Sequence, residues 1–463
     1  MTKSRWTIIA GIAGAVVVAA VAVALVLRAQ GSPASGWQEP DPLPARSHMV
    51  AAVAADGSAL AAWAERRDGQ YVMRFAERPP GGSWSDGVDI GAPRHWQMTP
   101  TRLEVNERGD AVVVFSLSVR GVSAQQASFR PAGGTWEAPQ TVTPVARDLA
   151  AMAVGIDGHG AVTVAYTRVG RGRGDVKVVR RTPSGWVAPS TIRSTSTGGA
   201  AYGAILAVAT GDDGRAYVAT ATIGARDARP RIAVIERNGD HRPLPSPPVT
   251  NLAGSRLALA VNASGRPVIV WGQAGPGNTA SVRTATLGAD GSWSSARAID
   301  RGIAGAPGGL TAVNTGAGLL VAWTQWQTPW TEVSLRASLT EGDESPAAAT
   351  TVDTYEMFDM RAGAGGGSAA QALPLGEAPA HLVAGRFGPR YLMWLRPGGD
   401  PSGTGGAIAS SSAHAGVWTD PEIVTPSTAW PLAVGATGPE AAQAVWQRQG
   451  PRTMPAMAAD FRR

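Results

Sequence analysis

The chain has 463 residues, 44% hydrophobic and only 16% charged, with no cysteine, which excludes disulfides, thiolate metal sites, thiol catalysis and a lipidated cysteine. Its formal charge of +6 leans on Lys3, Arg5 and Arg28 near the N-terminus, and setting these aside leaves 38 basic against 35 acidic residues. So small an excess argues against a nucleic-acid partner.

The first element in chain order is an uncharged run of 22 residues from Trp6 to Leu27. A bilayer core of about 30 Å needs about 20 apolar helical residues, whereas a cleaved signal peptide carries an apolar stretch of about 7–15. Residues 6–27 are therefore expected to form a transmembrane signal-anchor helix. Lys3, Arg5 and the terminal amine, against Arg28 alone on the far side, place residues 1–5 in the cytoplasm. Residues 28–35 then form a linker, and residues 36–463 lie outside the cytoplasm at the cell membrane.

From there one pattern recurs: a short apolar strand, a Gly turn, a second apolar strand ending in a large side chain, a polar loop and a third strand. Gly-x-Trp or Gly-Trp often opens a fourth. The second strands end at Trp63, Phe115, Tyr166, Thr220, Trp271, Trp323, Trp394 and Trp446, spaced by 52, 51, 54, 51, 52, 71 and 52 residues. Four short strands in some fifty residues make a propeller blade. The long spacing marks an insertion, residues 354–379, between the sixth and seventh copies. Eight blades are expected, with seven as the alternative if one copy is degenerate.

Trp84, Trp136, Trp186, Trp293 and Trp418 open fourth strands, and Trp37 repeats that phrase before the first copy begins. The last copy stops after three strands, so residues 36–44 are expected to supply its missing outer strand and lock the ring. Both tryptophan columns suit apolar plates packed between blades.

Trp96, Trp326, Trp330 and Trp430 break the repeat. They fall in the second-to-third strand loops or the connections between blades, which share one face of a propeller and vary most in this chain. Arg66, Arg396, Arg448 and Tyr355 fall on the same face. Function concentrates on loops carried by a rigid scaffold, and aromatics beside guanidiniums can stack on sugar rings or anchor a protein. These eight residues are the expected binding surface. The histidines are scattered without metal-ligand spacing, so no metal and no cofactor is expected.

The phrasing of apolar strand, Asp-Gly, apolar strand and R-P-x-G-G-x-W resembles the sialidase-like, Asp-box (BNR-type) propellers. The box reads Ser/Thr-x-Asp-x-Gly-x-Thr-Trp. Gly133, Thr135 and Trp136 match it, but Pro131 stands at the Asp position, and Pro79 does so before Trp84. The resemblance implies an all-β propeller, and for a sialidase an arginine triad, a Tyr–Glu nucleophile pair and an Asp acid/base. Tyr355, Glu356, Asp359 and Arg361 have that chemistry, while the Phe/Tyr-Arg-Ile-Pro segment that carries the first arginine is missing. The Lys-poor, Ala/Gly/Val/Arg-rich composition also resembles chains from high-GC genomes such as those of actinobacteria. The reading that follows is a membrane-anchored propeller binding an envelope glycan or protein, degenerate and non-catalytic. A divergent glycoside hydrolase is the alternative.

Overall fold

The computed structural model describes residues 37–43, 48–147, 149–170, 173–196, 204–222, 230–315, 318–326, 332–340, 347–356, 382–386, 390–397, 406–414, 417–425, 429–438, 441–448 and 456–462. They form an all-β propeller of eight antiparallel blades, each built from its innermost strand outward. Blade 1 comprises Met49–Val53, Ala59–Arg67, Gln70–Arg78 and Val88–Arg94. Blade 2 comprises Gln97–Val105, Ala111–Val119, Val122–Arg130 and Gln140–Thr141. In blade 3 the strands Leu149–Ile156, Val162–Gly170 and Arg173–Thr182 are flanked by the outer strand Ser190–Ser196. Blade 4 runs through Ala204–Thr210, Ala216–Thr222, Arg231–Ile235 and His241–Pro243.

Blade 5 comprises Leu252–Val261, Pro267–Ala274, Thr279–Thr286 and the first part of Arg297–Asn314, and blade 6 the last part of that strand with Leu319–Trp326, Glu332–Leu339 and Thr350–Glu356. Blade 7 comprises Leu382–Ala384, Arg390–Pro397, Gly406–His414 and Glu422–Thr425, and blade 8 Ala429–Gly438, Ala441–Arg448, Ala456–Arg462 and Asp41–Leu43. Blades 5 and 6 thus share a strand. Arg297–Asn314 is one extended run of 18 residues whose first part pairs with Thr279–Thr286 and whose last part pairs with Leu319–Trp326. Left-handed glycines at 302, 305 and 309 turn the corner between them. The outer strand of blade 6, Thr350–Glu356, runs on into the region expected as an insertion, and residues 357–381 lie outside the described residues.

The ring closes as the repeat requires. Asp41–Leu43 pairs with the last strand, Ala456–Arg462, with Asp41 opposite Ala458 and Leu43 opposite Ala456. Trp37 adds a bridge to Phe461, rings 5.3 Å apart, and its indole N–H donates to Ser410 Oγ of blade 7 at 3.1 Å. Asp41–Leu43 covers the edge of Ala456–Arg462 and leaves only a three-residue strand outermost in that blade. The N-terminal segment also cements two blades at once.

Large plates sit between blades because a four-stranded blade cannot bury its faces alone. Trp63, Phe115, Tyr166, Trp271, Trp323, Trp394 and Trp446 are all buried, each packed against the preceding blade. Complete burial of such a ring contributes about 3 kcal/mol. The fourth-strand tryptophans form an outer layer with the same direction: Trp136 of blade 2 meets Phe75 of blade 1 edge-on at 4.9 Å, and Trp293 of blade 5 donates to Pro245 O of blade 4. The third-to-fourth strand turns of blades 1 and 2 close alike: Gly82 N–H donates to Pro79 O and Gly134 N–H to Pro131 O.

Residues 6–27, the expected membrane span, lie outside the described residues; among the described residues no helix is long and apolar enough to cross a membrane.

Candidate functional site

The first-to-second strand turns ring one end of the propeller axis. Five of them share one geometry: the first residue's N–H donates to the fifth residue's carbonyl, and the fourth residue is a left-handed glycine. Those glycines are 57, 109, 160, 214 and 265, with φ between +74° and +88°, a region that costs an L side chain strain. In blade 3 the left-handed position is Gly160, not the Gly158 that follows Asp157.

Side chains stitch these turns together. Asn106 Oδ1 accepts from the N–H groups of Arg108 and Asp110, and its Nδ2 donates to Asp157 O of the next blade at 2.8 Å. Asp157 Oδ1 accepts from His159 and Ala161, while Oδ2 takes Arg180 at 2.9 Å. Arg180 then reaches Gly214 O of blade 4. Tyr217 of blade 4 donates to Gly265 O of blade 5. Most buried polar groups here are paired, as burial demands, with Arg180 Nε the exception in this network.

Inside this ring a cavity of about 240 Å³ opens at the axis, bounded by Asn106, Glu107, Asp212, Asp213, Asn262, Ser264 and Asn314. A deeper chamber of about 170 Å³ continues from it, sharing Thr210, Val261, Asn314 and Arg386. Arg386, from the blade 7 hairpin, crosses the axis. Its guanidinium donates to Val105 O at 3.2 Å and Ile156 O at 3.4 Å, and lies 3.9 Å from Glu104 Oε2. Glu104 faces only the chamber, and burial pushes its pKa above the ordinary glutamate value against the opposing pull of Arg386 and Arg102. Six residues on, Asp110 behaves oppositely. Hydrogen bonds from Asn106, the Ala132 N–H and Arg108 outweigh burial and hold its carboxyl below the ordinary value. Donors, acceptors and both signs of charge therefore converge on the axial cavity, without a cluster of three metal-ligating side chains among the described residues.

No family model matches the chain, and no curated protein matches it. Among solved structures, a Dyadobacter fermentans protein of unknown function is 11% identical, covers 92% of this chain and 100% of its own, and has a TM-score of 0.40. An ulvan lyase is 10% identical over 92% and 94% of the two chains with a TM-score of 0.44, and the six-bladed Aleuria aurantia fucose lectin is 13% identical over 68% and 97% at 0.35. Below a TM-score of 0.5 these likenesses bear no weight; the architecture rests on the sheet registers.

The expected loop-face residues that the structure describes sit at the opposite end. Arg66 is exposed with its guanidinium 5.8 Å from the Tyr71 ring, while Trp96 is half-buried against the blade 1–blade 2 core. A 3.1 Å Gln70–His95 contact ties their two loops together. Trp326 and Tyr355 both stand opposite Val333, forming one row across three strands of blade 6. Trp430 and Arg448 end strands of blade 8, and Arg396 stands opposite Ala407 in blade 7. The side chains of Trp326, Tyr355, Arg396, Trp430 and Arg448 lie outside what the structure describes, as does the residue Trp330. Sequence reasoning missed the axial cavity. Its signal was a charged residue in otherwise apolar inner strands, as in LEV around Glu104.

Proposed function

We propose that the protein is a non-catalytic, extracytoplasmic binding module, tethered at the cell membrane by residues 6–27, whose axial cavity seats a small hydroxyl-rich ligand such as a sugar unit. The observation that carries this reading is the cavity itself with the chamber that continues from it, where Arg386, which lines both, lies 3.9 Å from Glu104. A hydroxyl donates and accepts at once, so a polyol satisfies amide, carboxylate and guanidinium groups together.

The loop-rich face belongs to the same proposal as the surface turned toward an envelope glycan or protein, with the Trp326–Val333–Tyr355 row and the Arg66–Tyr71 pair in support. The sialidase-like resemblance enters as a degenerate architecture. Glycosidic cleavage by Tyr355, Glu356, Asp359 and Arg361 is the reading it displaces.

The test is glycan-array retention by the full-length chain in mild detergent, beside Arg386→Gln, Glu104→Gln and a Trp326→Ala/Trp330→Ala double variant. Retention of a neutral sugar that the axial variants lose supports the cavity as the seat. Retention lost only in the tryptophan variant moves the seat to the loop face. Hydrolysis of the array sugars by the wild type would overturn the binding-module reading.

A further inference from the structure

Blade 4 departs from the repeat at one position. Thr220 occupies the end of its second strand, where the seven other blades carry Trp, Phe or Tyr. The blade also lacks the Gly-x-Trp of the fourth strand, having His241–Pro243 there. The core between blades 3 and 4 is accordingly made of Ala165, Val178, Ala216, Val218, Ala233 and Ile235, with no aromatic ring.

A cleft of about 260 Å³ stands where the plates would be. Its floor is apolar, formed by Ile192, Val218, Ala233 and Pro243, and two guanidiniums from facing blades close over it, Arg193 and Arg231. One nitrogen of Arg193 donates to Thr220, at 3.0 Å to the hydroxyl and 3.5 Å to the carbonyl, and one nitrogen of Arg231 donates to Ser246 Oγ. Each guanidinium has further donors on its other nitrogens.

The charge there is uncompensated among the described residues. Burial lowers the pKa of Arg193, and Arg231 lowers it further; no described carboxylate acts in the other direction. Arg193 is half-buried and Arg231 exposed, so solvent screens part of their repulsion, and what remains is a cost in the empty protein. An anion with two coplanar oxygens removes that cost and accepts from both forks.

We infer that the gap in the aromatic layer between blades 3 and 4 is a second ligand site, taking the carboxylate of a small organic acid between Arg193 and Arg231 and its apolar body against Ile192 and Val218. The volume lies just below the roughly 300 Å³ at which small-molecule pockets begin, so the occupant is a single ring or short chain. It is independent of the axial cavity, which is lined by other residues and is rich in carboxylates, with Glu107, Asp212 and Asp213 beside the single Arg386.

The experiment is calorimetric titration of the full-length chain in mild detergent with sodium glucuronate, sodium hexanoate and glucose. At least one acid should bind in a way that depends on Arg193 and Arg231, whereas any glucose bound, at the axial cavity, should not depend on them. Arg193→Gln and Arg231→Gln should each weaken that acid by about tenfold or more, the worth of a charged hydrogen bond. Thr220→Trp, which restores the residue found at this position in five other blades, should fill the cleft and abolish binding while the protein melts no lower. Arg386→Gln should leave the acid's affinity unchanged, which separates this site from the axial one. Glucuronate alone binding names a sugar acid; hexanoate alone names an aliphatic one. The inference fails if neither acid binds, if Arg193→Gln and Arg231→Gln weaken glucose binding as much as they weaken the acid's, or if the Thr220→Trp protein binds the acid as the wild type does.

Discussion

The interface between blades 3 and 4 carries an arginine near each end, and the two are built in opposite ways. Arg180, toward the turns, is 1% exposed and faces the wholly buried Asp157 at 2.9 Å, and it also donates to Thr163 and Gly214 O. Arg193, toward the loops, faces Arg231. Burial lowers both pKa values; Asp157 offsets it at one end and Arg231 adds to it at the other. A ring must bury polar groups to hold blades in register, and it does so with complete pairs. An incomplete pair in the same seam marks a place kept for something else.

Breaking the complete pair should have the largest effect. Arg180→Met leaves Asp157 buried without its cation and should cost about 3–5 kcal/mol in urea unfolding; a loss below about 1 kcal/mol would show that the two ends do not differ. Trp394→Phe is next: its indole N–H donates to buried Asp353 Oδ2 at 2.9 Å, and losing that donor should cost about 1–3 kcal/mol. Replacing the incomplete pair should run the other way. Arg193→Met keeps the stem and removes one of two repelling charges, so the melting temperature should hold or rise by the equivalent of up to about 1 kcal/mol.

The smallest effect is in pH. Asp110, held below its ordinary value, contributes stability above that value that is lost as pH falls through its folded pKa. Glu104, held above its ordinary value, contributes stability in acid that is lost as pH rises through its raised pKa. Asp110→Asn should therefore flatten the acid limb of a urea-midpoint profile, and Glu104→Gln the limb rising toward neutrality. A profile in which Glu104→Gln flattens the acid limb instead would show the chamber to be wetter than its geometry implies.

Much of the ring was legible in the chain itself. The column from Trp63 to Trp446 marks a fixed slot between blades, and Trp37 ahead of the first copy announced the strand that closes the last. The axial cavity was not legible in this way. Glu104 and Arg386 are 282 positions apart and meet only because blade 7 lies across the axis from blade 2. Thr220 was an intermediate case: the exception was visible in the column, but what the vacated space contained was not.

Sequence alone determined the blade, its repeat, its plates and its closure, because strand period, turn chemistry and ring packing act locally and recur in every copy. Tertiary structure decided the axial chamber, the Asp157–Arg180 pair and the Arg193–Arg231 cleft. Each joins residues from different blades, and the repeat fixes which way a side chain points within its own sheet but not what the neighbouring sheet offers it.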